Sequence, residues 1–154
     1  MSKTELSISG ELPQFTSIVE VESILERILA DLGEDQTLYR VSLAIVDSPR
    51  MRHINHTHRG VDAVTDVLSF VGDKLPLSIS ETIKYVRLCD IVIDINQVLR
   101  EKEENTYTEE FWQVLIHGIL HVAGYDHIKA YDKKIMEDAE ENYRSIVREG
   151  IIRG

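Results

Sequence analysis

Apolar residues recur along this chain with two periods, and the switch between them marks out its elements. Residues 5–9 (ELSIS) alternate weakly, as a short strand does. From Ser17 to Leu32 the repeat lengthens, and Val21, Ile24, Leu25, Ile28, Leu29 and Leu32 form one stripe at helical spacing. Ser17 and Glu20 have capping-box spacing at its start, and Gly33 stands just past its end. Thr37 to Val46 returns to period two, with Tyr39, Val41, Leu43 and Ile45 on one side. Ser48 followed by Pro49 announces a second helix, which Gly60 stops. Val67–Val71 and Leu88–Ile93 are short runs rich in β-branched residues and predict buried strands, with a loop or short helix over residues 72–86.

After Asn96 the pattern is helical throughout. Thr108 is a candidate cap, and Glu109 and Glu110 in the following turn complement the positive end of the helix dipole. The segment FWQVLIHGILHV is apolar on nearly every side, which predicts a helix buried at the centre of the fold. A last amphipathic helix, from about Asp132 to Glu149, buries Ile135, Met136, Ala139, Tyr143 and Ile146. The order β-α-β-α-β-β-α-α-α predicts an α/β (α+β) fold, a small sheet with helices packed around it. With no repeat, low-complexity tract or long linker in 154 residues, the expectation is a single domain over residues 1–154.

Composition narrows the function classes. No apolar run approaches the ~20 residues of a membrane span, and the first residues, MSKTELSISGELPQ, lack the features of a signal peptide. The expected compartment is the cytoplasm, with no membrane partner. A single cysteine, Cys89, excludes an internal disulfide framework and a Cys-rich metal site. The net charge of −10 argues against broad nucleic-acid binding through phosphate neutralisation, so an RNA substrate would need a local basic patch.

The chemistry concentrates in His117-Gly-Ile-Leu-His121-Val-Ala-Gly124-Tyr-Asp126-His127. His117 and His121, four apart on the central helix, share a face with Cβ atoms about 6 Å apart. That separation suits two imidazoles on one zinc ion. Gly124 can take a positive φ and end the helix, so that the chain turns back and delivers His127 as a third ligand. Three histidines without a fourth protein ligand leave a position for water, the pattern of a catalytic zinc. An HxxxH pair alone arises by chance in roughly one such chain in five, but adding Gly124 and His127 at these spacings makes coincidence improbable. Two histidines on an otherwise apolar helix also need polar partners, and a shared metal supplies one. Nickel, copper and iron suit imidazoles as well.

This spacing is also that of the metzincin proteases, which carry a general-base Glu directly after the first histidine. Here that position is Gly118, so a peptidase would need another base.

Residues 50–59, RMRHINHTHR, hold three arginines and three histidines and no acid. On a helix, Arg52, Asn55, His56 and Arg59 fall on one polar face, which is either a solvated surface or a local basic patch. Arg59, at the helix end beside Gly60, is placed to lean into a cleft, where its planar fork could engage phosphate oxygens.

These blocks resemble a known family. HGILHVAGYDH is similar to the H-G-x-L-H-x-x-G-Y-D-H signature of the YbeY family of bacterial endoribonucleases. The run from Met51 through Asn55, Arg59, Asp62, Thr65, Asp66 and Ser69 to Phe70 resembles that family's MRxLNxxxRGxDxxTDVLSF stretch. Leu88-Cys-Asp90-Ile-Val-Ile resembles its LGDIxI strand, and the matching blocks span about residues 43 to 145. Departures occur at Cys89, where the family usually has Gly, at Val71, where Pro commonly follows, and at Val122 and Ala123.

The resemblance implies a four-stranded mixed sheet with surrounding helices, zincin-like in its central HxxxH helix, with zinc on His117, His121 and His127. It further implies a single-strand-specific endoribonuclease in ribosomal RNA processing, notably of the 3′ end of 16S rRNA, and in ribosome quality control. Implied partners are single-stranded RNA, the ribosomal small subunit and its assembly factors, with no DNA. The family's functional arginine matches Arg59.

In the expected chemistry a zinc-held water attacks, or a phosphate oxygen is polarised, while Arg59 stabilises charge. Asp126 could orient a ligand histidine or hold the water, or simply cap a helix. Thr65, Asp66 and Ser69 either line the cleft or, for the first two, only start a strand. The acidic runs Glu101–Glu104 and Glu137–Glu141 read as solvated helix faces. Two other classes stand beside the nuclease: a hydrolase of a different bond, such as a peptidase, and a non-catalytic ribosome-assembly factor whose zinc is structural.

Overall fold

The computed structural model describes residues 4–14, 16–78, 80–103, 105–125 and 130–150, without the side chains of residues 130–132. The chain runs β1 (Thr4–Ser9), α1 (Ile18–Leu32), β2 (Thr37–Val46), α2 (Ser48–Arg59), β3 (Val67–Val71), β4 (Leu75–Pro76), β5 (Tyr85–Asp94), α3 (Ile95–Glu101), α4 (Tyr107–Val122) and α5 (Ala130–Arg148). The mixed α/β architecture and element order expected from the sequence are present. The one addition is β4, a two-residue strand paired with β5 inside the segment for which the pattern predicts a loop or short helix. The main sheet has the order β1-β2-β5-β3. β2 lies parallel to both β1 and β5, while β3 runs antiparallel to β5 at the edge.

Tyr39, Val41, Leu43 and Ile45 of β2 and Cys89, Ile91 and Ile93 of β5 form one face of the sheet. They enter a single core with α1 (Val21, Ile24, Leu25, Ile28, Leu29) and α4. Cys89, one of the departures noted above, is buried within this core. The other face is more open: Leu88 is 50% exposed there, and a small cluster of Leu38, Ile83 and Val86 covers one end.

Helix α1 begins as its sequence dictates, with Ser17 as cap and a reciprocal capping box to Glu20. Two other starts differ from expectation. Asp47, one residue before the Ser-Pro pair, caps α2 by accepting from the Arg50 amide. Ser48 instead donates its hydroxyl to the buried Asp94 at 2.7 Å, and Asp94 in turn caps α3. Helix α4 starts two residues earlier than Thr108: Thr106 is the cap and Glu109 closes the box. A box satisfies two orphan amides where a lone threonine satisfies one, which favours the earlier start.

Gly60 at φ 71° and Gly124 at φ 103° end α2 and α4 in the left-handed region, as their positions imply. Among the described residues, no helix is long and apolar enough to cross a membrane.

A candidate metal centre and its basic flank

Between Phe111 and Val122 every residue of α4 is buried except Gln113, His117 and His121. Spaced by four, these three make one half-exposed stripe on an otherwise buried helix. Within it the Nε2 atoms of His117 and His121 lie 3.1 Å apart, with ring planes at 77°. Two nitrogens bound tetrahedrally to one zinc at 2.0–2.1 Å are themselves about 3.3 Å apart. The pair therefore fits the donor spacing of a zinc ion. His127 and Asp126, read from the sequence as third ligand and possible orienting carboxylate, lie outside the described residues. Among the described residues no third His, Cys, Asp or Glu joins the pair as a donor group.

Helix α5 runs antiparallel along this stripe. Glu140 Oε1 lies 2.7 Å from His117 Nδ1, and Arg144 donates to Gln113 Oε1 at 2.8 Å. Glu140 thus belongs to the site, whereas the sequence reading assigned Glu137–Glu141 to a solvated face. That reading fits Glu137, Asp138 and Glu141, which are exposed. It misses Glu140 because Met136, Glu140, Tyr143 and Val147 fall at i, i+4, i+7 and i+11, the buried stripe of α5. A carboxylate inside an apolar stripe was the available signal.

Gly118 faces the sheet, away from the stripe. A Cβ there would lie 3.1 Å from both Ile91 Cγ2 and Val67 Cγ2 and 3.3 Å from Ser69 Oγ. The position where a metzincin carries its base is here a packing contact between α4 and the sheet. Ser69 exploits the approach, donating its hydroxyl to the Gly118 carbonyl at 3.0 Å.

Arg59 reaches the same strand. Its Nη2 donates to the Ser69 carbonyl at 2.7 Å, and its guanidinium carbon sits 4.8 Å from the centre of the Phe70 ring. His58 meets that ring edge-on at 5.5 Å. A guanidinium has five donor hydrogens, so this anchoring leaves donors for a ligand.

Two other members of the predicted polar face of α2 are otherwise engaged. Arg52 makes a two-pronged ion pair with Asp62 at 2.7 and 3.0 Å. Asn55 is buried and donates to the Ala63 carbonyl at 2.9 Å, fixing the loop after the helix. Arg59, His56 and His58 carry what exposed polar character the end of α2 retains.

Asp66, just before β3, is half-buried. Burial, reinforced by the Glu101 carboxylate bonded to it, pushes its carboxyl above the ordinary carboxylate range, while the Val67 backbone and His117 pull it down. Glu101 is exposed, as its run predicts, and also reaches Asp66.

Residues 7–147 match the family model described as Endoribonuclease YbeY. The chain is 36% identical over 126 residues to the Endoribonuclease YbeY of Fusobacterium nucleatum, covering 79% of this chain and 75% of the relative. It is 39% identical over 126 residues to that of a Sulfurihydrogenibium species, covering 79% and 77%. A third, from Persephonella marina, is 35% identical over 132 residues, covering 81% and 82%. Among solved structures, the solution structure of TM1509 from Thermotoga maritima superposes with a TM-score of 0.59 at 27% identity, over 91% of this chain and 87% of that one.

Proposed function

Because this chain belongs to the endoribonuclease YbeY family, we propose that it is a zinc-dependent endoribonuclease that cuts single-stranded RNA. Its expected role is ribosomal RNA processing in the cytoplasm, at the 3′ end of 16S rRNA, with the small subunit and assembly factors as partners and a further role in ribosome quality control. The observation that carries the chemistry is the convergence of His117 and His121 Nε2 on the one half-exposed stripe of α4. His127 completes the proposed ligand set.

Zinc bound there would supply a Lewis acid and lower the pKa of a bound water to around 7. The chain's own residues supply the rest. Arg59, braced by the Ser69 carbonyl and the Phe70 ring, presents its free donors to a phosphate oxygen and offsets charge that builds up on it. Substrate is gripped locally, since a net charge of −10 gives no general attraction for RNA. The peptidase alternative lacks support at position 118, where the packing leaves no room for a base.

Arg59→Glu tests the assignment. The variant is expected to retain zinc and fold while losing RNA cleavage by roughly 10²-fold or more, the scale of removing an electrostatic stabiliser. Undiminished cleavage would remove Arg59 from the mechanism.

A further inference from the structure

The second imidazole nitrogen of His117 is held by Glu140, a residue from a different helix, and nothing in the assignment above uses it. The contact is 2.7 Å long, and the Glu140 side chain is only 17% exposed against 31% for His117. Its neighbours set the rotation and height of α5. Three residues on, Tyr143 donates its hydroxyl to Asp31 of α1 at 2.9 Å, and four residues on, Arg144 donates to Gln113 of α4 at 2.8 Å. Met136 and Tyr143, on either side of Glu140 in the same stripe, are buried in the core. Glu140 is therefore aimed at His117 by packing on both sides along α5.

A neutral imidazole carries one proton, and the partner of one nitrogen decides the state of the other. A carboxylate accepts only, so Glu140 places the proton on Nδ1 and leaves the lone pair on Nε2. That Nε2 is the atom facing His121 Nε2. A carboxylate behind a ligand histidine also fixes the ring's direction and raises its basicity.

We propose that Glu140 is a positioning residue for the metal site, holding His117 in the tautomer and orientation that bind the ion. The inference rests on the zinc reading above. It makes α5 a part of the site: metal retention depends on a helix whose other contacts are structural.

The test is zinc affinity of the full chain, measured by competition with a chromophoric chelator, for wild type, His121→Ala, Glu140→Ala and Glu140→Gln. Glutamine keeps an oxygen to accept from Nδ1 but lacks the charge. Glu140→Ala is expected to bind zinc roughly 10- to 100-fold more weakly than wild type, with Glu140→Gln in between. Cobalt substitution gives a readout that a purely structural contact would not move: the visible absorption of the bound ion should shift in Glu140→Gln at unchanged helical content. If Glu140→Ala fails to fold, Glu140→Gln decides alone. Wild-type affinity and cobalt spectrum in Glu140→Gln, beside a defective His121→Ala, would overturn the role of Glu140 and leave the zinc reading standing. A wild type that holds no zinc would overturn both.

Discussion

The hydroxyl of Ser69 donates to the Gly118 carbonyl at 3.0 Å, tying edge strand β3 to the turn of α4 that carries His117. The Ser69 carbonyl meanwhile accepts Arg59 Nη2 at 2.7 Å. One residue thus joins the basic flank to the histidine helix, through its side chain on one hand and its backbone on the other. Ser69→Ala removes only the first link. It should cost about 1 kcal/mol of stability, the usual net worth of such a bond, measured by urea denaturation. RNA cleavage should survive, because the carbonyl that braces Arg59 remains. A loss of cleavage as deep as that of Arg59→Glu would mean the hydroxyl itself takes part in the chemistry.

Gly118 lets α4 approach the sheet closely. A Cβ would press on Val67 and Ile91 at 3.1 Å, so Gly118→Ala should destabilise the protein by the cost of overpacking, about 1–3 kcal/mol, less the roughly 1 kcal/mol that alanine gains over glycine inside a helix. Gly118→Glu, which imitates the metzincin sequence, should fail to fold or unfold at much lower denaturant. A Gly118→Glu variant with wild-type stability would show that this position does not face the sheet.

Asn55 holds the loop between Arg59 and β3 from inside. Asn55→Ala would remove the bond to the Ala63 carbonyl together with the packing of a buried side chain, and should cost about 1–2 kcal/mol in a chemical denaturation experiment. Arg52→Ala, by contrast, removes an exposed, solvent-screened ion pair with Asp62 and should leave stability nearly unchanged. Equal costs for the two would contradict this division between a buried anchor and a solvated pair.

Asp66 should make stability depend on pH in a definite direction. Its folded pKa is raised, first by burial and then by Glu101. The folded state therefore binds this proton more tightly than the unfolded chain. The favourable contribution is full below the ordinary aspartate value and is lost as pH rises through the raised folded value. Asp66→Asn carries no such charge. In chelator-treated protein it should be more stable than wild type at neutral pH, and that advantage should fade as pH falls toward about 4. A stability difference that does not vary with pH would mean that Asp66 is not held in a raised state.

Much of this was legible because it is local. The capping box of Ser17 and Glu20, the left-handed stops at Gly60 and Gly124, and the two histidines four apart on a buried helix each follow from a few neighbouring residues. The strand alternation over Thr37–Val46 matches β2 at both ends. What the sequence hid depends on tertiary packing. Glu140 sits in an acidic run that looks solvated until α5 is laid antiparallel on α4. Arg52 and Asn55 share a helical face with Arg59, yet Asp62 and Ala63 fold back to claim them. Asp47 and Thr106 outcompete Ser48 and Thr108 as caps, Ser48 because its hydroxyl is taken by Asp94 from 46 residues away.

In the function proposed, metal held by His117, His121 and His127 makes this chain a ribonuclease. The most direct measurement is cleavage of a single-stranded RNA fragment by wild type and His121→Ala, purified identically, with the zinc content of each preparation determined alongside. The wild type should hold zinc and cut, while His121→Ala should have lost zinc and should not cut. Equal cleavage by both, or none by a zinc-loaded wild type, would contradict the proposed function.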